Sequence, residues 1–367
     1  IEEASVPGAK TAKVYYGIDE GWVVHHNLDV WKSTAPVDAA RYGMWPMGGA
    51  WMTRHIWEHY EYEPDVEFLR KYYPVMKGAA QFLSNLLTLH PATGYLVTPF
   101  SMSPEHGFMY GTIDTPGETE AWVSPAPTMD VAIIKDLFPY VIESAKILGV
   151  DADFSAHLAD QLTQLPPYKI NRRGTVQEWI YDFDSGPEGH NMSTHYAFFP
   201  GNSMLLHRES DRELVAAQEK FIEERPSGGS SWQTRWDLAM WARLERSDMV
   251  AKFITDYSKS VANNLYNNNR YNQIDATAGN TGGIAEALIQ SHAGEISLLP
   301  ALPTTWPEGS ITGLRARGGY EVNMTWAGGR ITSTEISSAR GGTIAVRAGG
   351  RVQEVTIEPG KVTALTF

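Results

Sequence analysis

The chain contains no cysteine in 367 residues, which excludes disulfides and thiolate metal sites and leaves the redox compartment open. Positive charge is scarce: 30 Lys and Arg stand against 43 Asp and Glu, a formal net charge of -13. That balance argues against nucleic acid as a partner, because phosphate binding needs a basic surface. No apolar run approaches the roughly 20 residues of a membrane-spanning helix. Ile1-Glu2-Glu3-Ala4 has neither the basic nor the apolar region of a signal peptide. A chain opening on Ile rather than Met is expected to be the remainder of something longer. Metal-ligand spacing is missing as well. His25-His26 has no His-x3-His or Glu partner nearby, and adjacent side chains point apart on a helix or strand, so no metal and no cofactor is expected.

Aromatic residues, by contrast, are plentiful: 12 Trp, 17 Tyr and 12 Phe. Many Trp stand beside His, Asn or Glu rather than inside aliphatic runs. Flat rings next to amides and carboxylates suit a sugar, which stacks its C–H face and hydrogen-bonds its hydroxyls; the alternative is that each Trp anchors helix packing. Gly21 to Trp31 and Trp45-Pro46-Met47-Gly48-Gly49-Ala50-Trp51 are two such stretches. Asn191-Met192-Ser193 and Asn323-Met324-Thr325 are glycosylation sequons and lean toward a secreted protein.

Apolar spacing of three and four predicts helices through about Tyr60, over Val66–Leu87 (through Pro74), Met129–Leu148 (ended by Gly149) and Phe154–Leu165, then near 211–224, 232–244, 248–264 and 284–291. Residues 1–20 carry little signal. Two long stretches, 88–128 and 168–201, show neither period. Long loops in a compact chain are functional or disordered, and the aromatics of 88–128 make disorder a poor fit. Ser101-Met102-Ser103-Pro104-Glu105-His106-Gly107-Phe108 lies there, with Glu105 as a candidate acid. After about Gly294 the period becomes two. Tyr320, Val322, Met324 and Trp326 alternate, as do Ile344 and Val346, and Val362, Ala364 and Thr366, between Gly-Gly and Pro-Gly turns. The expected organisation is a helical domain over 1–293 and a small all-β cap over 294–367.

The order of motifs resembles glycoside hydrolase family 95, the inverting α-L-fucosidases. The resemblance rests on His25-His26-Asn27-Leu28-Asp29-Val30-Trp31, Trp45 to Trp51, Ser103-Pro104-Glu105, Pro127-Thr128-Met129-Asp130, Gln177-Glu178-Trp179, Trp241-Ala242-Arg243-Leu244, Gln273-Ile274-Asp275 and the run from Ile284 to Gly319. It covers nearly the whole chain. It implies a mainly α fold, an (α/α)6 toroid incomplete in this chain, followed by a small C-terminal all-β domain. It also implies release of a terminal α-L-fucosyl or related α-L-galactosyl residue from a glycan with inversion. Glu105 would be the general acid, and Asp275 the carboxylate that polarises the asparagines holding the attacking water. Inversion requires room for that water, with carboxyls roughly 6.5–9.5 Å apart. The implied substrate-binding residues are His26, Asn27, Trp45, Trp51, Glu178, His190 and His195.

Three departures from the family pattern bear on the expectation. The paired asparagines belong upstream of His25, and residues 1–20 hold no such segment, so a further N-terminal part of the enzyme is expected and the chain alone is expected to be inactive. Asn191-Met192 replaces an Arg-His pair, with His195 nearby. Ala276-Thr277-Ala278-Gly279 replaces Gly-Asn-Phe-Gly. The rival readings are a different glycan-active enzyme on the same scaffold, and a carbohydrate-binding or structural fragment without catalysis.

Overall fold

The computed structural model describes residues 1–111, 117, 119–189, 192–225, 231–259, 261–266 and 273–367. In chain order its helices are α1 (Glu2–Tyr16), α2 (Ala40–Gly43), α3 (Gly48–Tyr62), α4 (Val66–Leu86), α5 (Thr128–Leu148), α6 (Ala152–Thr163), α7 (Arg212–Glu224), α8 (Ser231–Arg243), α9 (Ser247–Ser258) and α10 (Ile274–Leu288). Asp65 starts α4 by accepting the Glu67 N–H, which satisfies a donor with no helical partner. Leu69, Tyr73, Met76, Ala80 and Leu83 form its buried stripe, and the helix continues through Pro74. α5 stops where Gly149 takes a left-handed φ of 68°. Val131, Ala132, Ile134 and Phe138 are buried beside the expected stripe Met129, Ile133, Leu137, Val141 and Ala145. A helix apolar on most sides belongs inside a core, and α5 packs against both α4 and α6. Each large aliphatic side chain fully buried there contributes about 1.5–3 kcal/mol.

The short α2 has no counterpart in the sequence reading, and α9 ends at Ser258 rather than near 264; two further helices differ from that reading. Residues 2–16 form α1, although Pro7 and Gly8 weaken its pattern. Gly8 is needed for contact: a Cβ there would meet the Val23 carbonyl at 2.8 Å. Gly49 of α3 and Gly78 of α4 face the same place, where added Cβ atoms would lie 2.6 and 2.7 Å from the Trp22 ring. Glycines on α1, α3 and α4 thus make a socket for Trp22, whose indole N–H donates to Val75 O at 2.8 Å. The second difference is α10, which begins at Ile274 rather than 284. Gly279 and Gly283 sit on it where a Cβ would come 2.7 Å from Arg235 Cβ and 2.6 Å from Leu238 Cγ. These glycines let α10 lie close to α8, so tertiary contact overrides their low helix propensity.

Among its described residues the stretch 88–128 holds short paired strands: β1 (Thr88–Leu89), β2 (Leu96–Val97), β3 (Ser101–Met102), β4 (His106–Tyr110), β5 (Thr119–Ala121) and β6 (Val123–Ser124). β3 pairs with β6, and β4 lies between β5 and β7 (Asp184–Gly189). Elements of two to five residues are too short to display a period.

The chain divides into two compact units. One comprises Ile1–Tyr60, Asp65–Met204 and Ala216–Gln218, the other Glu61–Pro64, Leu205–Val215 and Glu219–Phe367. The second holds α8 to α10 and the strands β8 (Ile289–Gln290), β9 (Glu295–Leu298), β10 (Gly309–Ala316), β11 (Tyr320–Ala327), β12 (Arg330–Ser338), β13 (Gly342–Ala348), β14 (Arg351–Ile357) and β15 (Val362–Leu365). They form two four-stranded sheets, β10-β11-β12-β15 and β14-β13-β9-β8, with β9 and β13 parallel. Ile296, Leu298, Val322, Met324, Trp326, Ile336, Val346 and Ile357 fill their common core. The alternation of β11 is as read from sequence. On β15 it is shifted by one: Val362 is 63 % exposed, while Leu365 and Phe367 pack inward. Pairing with β12 through Thr363 opposite Ile336 decides that register. Among the described residues no helix is long and apolar enough to cross a membrane.

Candidate active site

Ser103, Pro104 and Glu105 make a tight turn between β3 and β4, closed by the His106 N–H donating to Ser103 O at 2.7 Å. Glu105 stands on this turn with its side chain 32 % exposed, and its Oε1 lies 3.5 Å from His26 Nε2. Beneath the turn, the buried Glu178 carboxylate accepts the Ser103 hydroxyl at 2.7 Å and the His106 Nδ1–H at 3.0 Å. The Ser193 hydroxyl donates to Pro104 O. Burial by itself would lower the His106 pKa; the facing Glu178 carboxylate outweighs it, helped by the Gly186 carbonyl, and holds it above the ordinary histidine value. Trp179 lies against the His106 ring at 5.3 Å and against Phe108 at 5.3 Å, and Phe183 stacks on Phe108 at 4.4 Å.

His25 and His26 point opposite ways, as neighbours in extended chain must. His25 is buried, its ring nitrogens 2.6 Å from Tyr16 Oη and 2.7 Å from Thr34 O. If Nδ1–H donates to the carbonyl, Nε2 accepts the phenol, which suits the neutral ring. Burial lowers its pKa accordingly, against the smaller opposing pull of the Thr34 carbonyl. His26 turns toward Glu105 instead. Its ring meets Trp45 edge-on at 6.1 Å; Trp45 is perpendicular to Trp51 at 5.9 Å, and Trp51 to Tyr196 at 5.2 Å. Gly48 and Gly49 allow the start of α3 to come against the backbone of Val24 and His25, which sets these rings beside one another.

Trp45 is anchored from behind. Its indole N–H donates to Asp130 Oδ1 at 3.0 Å, and Thr98 donates to Asp130 Oδ2 at 2.7 Å. Asp130 has no exposed surface, and burial pushes its pKa up to about 7 despite those donors. Sequence reasoning did not single out Asp130 as a support for Trp45. In the first turn of a helix an Asp reads as an ordinary partner of the helix dipole, and Asp130 lies beside the expected apolar stripe rather than in it.

The structure therefore brings together Glu105, His26, Trp45, Trp51 and Glu178 within the first compact unit. Asn27 is exposed and opens the run to Trp31, which is 85 % exposed. Glu178, Trp45 and His195 are almost wholly buried, and His195 Nδ1 lies 2.8 Å from Gln218 Oε1. None of these three offers appreciable surface to a ligand, because each lies beneath the residues that face solvent. Met192 is likewise buried, and His190 lies outside the described residues. Asp275 belongs to the other compact unit, exposed in the first turn of α10, where its Oδ1 accepts the Ala276 N–H at 3.0 Å. Among the described residues no group of three His, Asp or Glu is arranged to hold a metal ion. What the assembled groups offer is a partly exposed carboxyl held on a tight turn beside His26, with the Trp45 and Trp51 rings next to it.

Comparison with known proteins gives a consistent result. Residues 1–288 match the glycosyl hydrolase family 95 catalytic domain, and residues 290–365 match the glycoside hydrolase family 95 C-terminal domain. The chain is 38 % identical over 360 residues to alpha-L-fucosidase 2 of Arabidopsis thaliana, covering 92 % of this chain and 41 % of that protein. It is 32 % identical over 375 residues to a probable alpha-fucosidase A of Aspergillus niger, covering 94 % of this chain and 46 % of that protein. It thus spans less than half the length of these curated relatives. Among solved structures, a putative kojibiose phosphorylase from the human microbiome superposes with a TM-score of 0.64 at 9 % identity, over 99 % of this chain and 55 % of that one. At that identity the likeness concerns the fold alone.

Proposed function

The chain belongs to glycoside hydrolase family 95, and we propose that it supplies the acid side of an enzyme that releases terminal α-L-fucosyl residues from glycans with inversion. Glu105 donates its proton to the glycosidic oxygen as that bond breaks. His26, beside it, orients the carboxyl, and Trp51, held edge-on against the buried Trp45, bounds the sugar. Asp275, in the Gln273-Ile274-Asp275 motif, polarises the groups that hold the attacking water. This assignment rests on the family motif. The names of the two curated relatives support the choice of fucose. We read the helices as part of an (α/α)6 toroid, a reading supported by the family match and by the helix pairs that alternate with long connections.

One observation carries the proposal: a single carboxyl, Glu105, stands partly exposed on a turn whose Ser103 hydroxyl, His106 ring and Pro104 carbonyl are engaged by buried groups. A general acid needs an accessible carboxyl in a fixed place, and such groups contribute about 10²–10⁴-fold to rate. The test uses the native, full-length polypeptide. Glu105→Gln is expected to lower turnover of an α-L-fucosylated oligosaccharide about 10²-fold or more. Proton NMR of the wild-type reaction is expected to record β-L-fucose as the first product. Near-wild-type turnover by the variant, or α-L-fucose as the first product, overturns the proposal.

A further inference from the structure

Glu178 lies 75 residues after Ser103, yet its two carboxylate oxygens hold the residues on either side of the Pro104-Glu105 pair. Oε1 takes the Ser103 hydroxyl at 2.7 Å and Oε2 takes the His106 ring at 3.0 Å. The three side chains are all buried, at 6 %, 0 % and 4 % exposure. Ser193, itself 1 % exposed, holds the intervening Pro104 carbonyl from another segment. The closing bond from the His106 N–H to Ser103 O completes a ring of contacts beneath Glu105, whose side chain stays 32 % exposed.

We propose that Glu178 is a positioning residue for Glu105: its buried carboxylate clamps Ser103 and His106 and thereby fixes where the Glu105 carboxyl meets the glycosidic oxygen. The inference rests on the reading of Glu105 as the acid and extends it. Glu178 itself is placed to act through its neighbours rather than on substrate, since it is 6 % exposed and its oxygens face Ser103 and His106. The arrangement has a physical rationale. Proton transfer requires the donor within hydrogen-bond reach of the leaving oxygen, and displacement of a catalytic group by about 1 Å costs on the order of 10²-fold in rate. A turn fixed only by its own backbone would leave that distance to thermal motion. A buried carboxylate bonded to both flanks removes this freedom, and charge-assisted bonds are roughly twice as strong as neutral ones.

A positioning role for the acid has a signature that a merely structural role lacks. Fluoride leaves a sugar without needing a proton delivered to it, whereas an alkoxide does need one. In the native polypeptide, Glu178→Gln and Ser103→Ala are therefore compared on α-L-fucosyl fluoride and on an α-L-fucosylated disaccharide. Glu178→Gln is expected to lower kcat on the disaccharide about 10²-fold, with KM and the fluoride rate changed less than about threefold. Ser103→Ala, which loses one bond, is expected to show the same pattern at about tenfold. Glu178→Asp, which keeps the charge, is expected to recover part of the disaccharide rate.

Equal losses on both substrates in folded variants overturn the inference and leave the fucosidase reading intact. If the wild-type polypeptide turns over neither substrate, the fucosidase reading itself fails. Should Glu178→Gln fail to fold, as judged by its thermal transition, the Ser103→Ala comparison decides by the same criterion.

Discussion

The indole N–H of Trp45 donates to the carboxylate of Asp130 at 3.0 Å, linking a ring of the candidate site to the first turn of α5. Burial raises the Asp130 pKa from 3.8 to about 7, which makes this support sensitive to pH. In the folded chain the carboxyl holds its proton over a range in which the unfolded chain has released it. The contribution is therefore fully present below about 3.8 and is lost as the pH climbs through about 7. By linkage the whole change is on the order of 4 kcal/mol. Urea unfolding at pH 5 and pH 8 checks it: Asp130→Asn is expected to gain stability relative to wild type at the higher pH. Parallel profiles for the two proteins would contradict this account.

The two adjacent histidines are expected to separate stability from activity. His25→Ala removes a buried ring together with its bonds to Tyr16 and Thr34, a loss of about 2–3 kcal/mol in unfolding free energy. His26→Ala, at a partly exposed position facing Glu105, is expected to change stability by less than about 1 kcal/mol and to lower turnover about tenfold. Denaturant melts together with initial rates on both variants measure the separation. A reversed order of the two stability effects would sink it.

Neighbouring glycines of α10 are predicted to respond with opposite signs. Nothing lies within 4 Å of a Cβ placed on Gly282, whereas one on Gly279 would stand 2.7 Å from Arg235 Cβ. Gly282→Ala should stabilise by up to about 1 kcal/mol through helix propensity. Gly279→Ala should destabilise by about 1–3 kcal/mol, because α8 must move. The thermal midpoints of the two variants, against wild type, report the difference.

Arg54 and Asp136 form a buried pair at 2.6 Å, and Glu58 lies 3.1 Å from the Arg54 Nε. Burial pushes Asp136 up to about 6 even beside the guanidinium. Arg54→Met would strand that carboxylate, costing about 3–5 kcal/mol. Adding Asp136→Asn should return a large part of the loss. A double-mutant cycle measures the coupling, and additive losses would show that the pair does not act as a unit.

Much of this architecture was legible in the residues. The α4 and α5 stripes, the Gly149 stop and the alternation of β11 follow from chain geometry and the removal of apolar groups from water, which act locally. So do the hairpin turns: Gly349 and Gly350, at φ 53° and 79°, adopt a conformation that residues with a Cβ resist. Glu105 announced itself as a lone acid in a stretch without period. What local pattern could not decide was which polar groups turn inward. Glu178 reads as a surface acid until a serine 75 residues earlier and a histidine 72 earlier are brought onto its oxygens. Asp130 reads as a helix-start acid until Trp45, 85 residues before it, reaches its carboxylate. The glycines of α10 read as a loop until α8 lies against them, and the face of β15 waited on its pairing with β12. Sequence alone put Glu105 forward as the proton donor of the proposed reaction. Only the tertiary structure decided what holds it, because a buried carboxylate is tolerable only where folding supplies its hydrogen-bond donors.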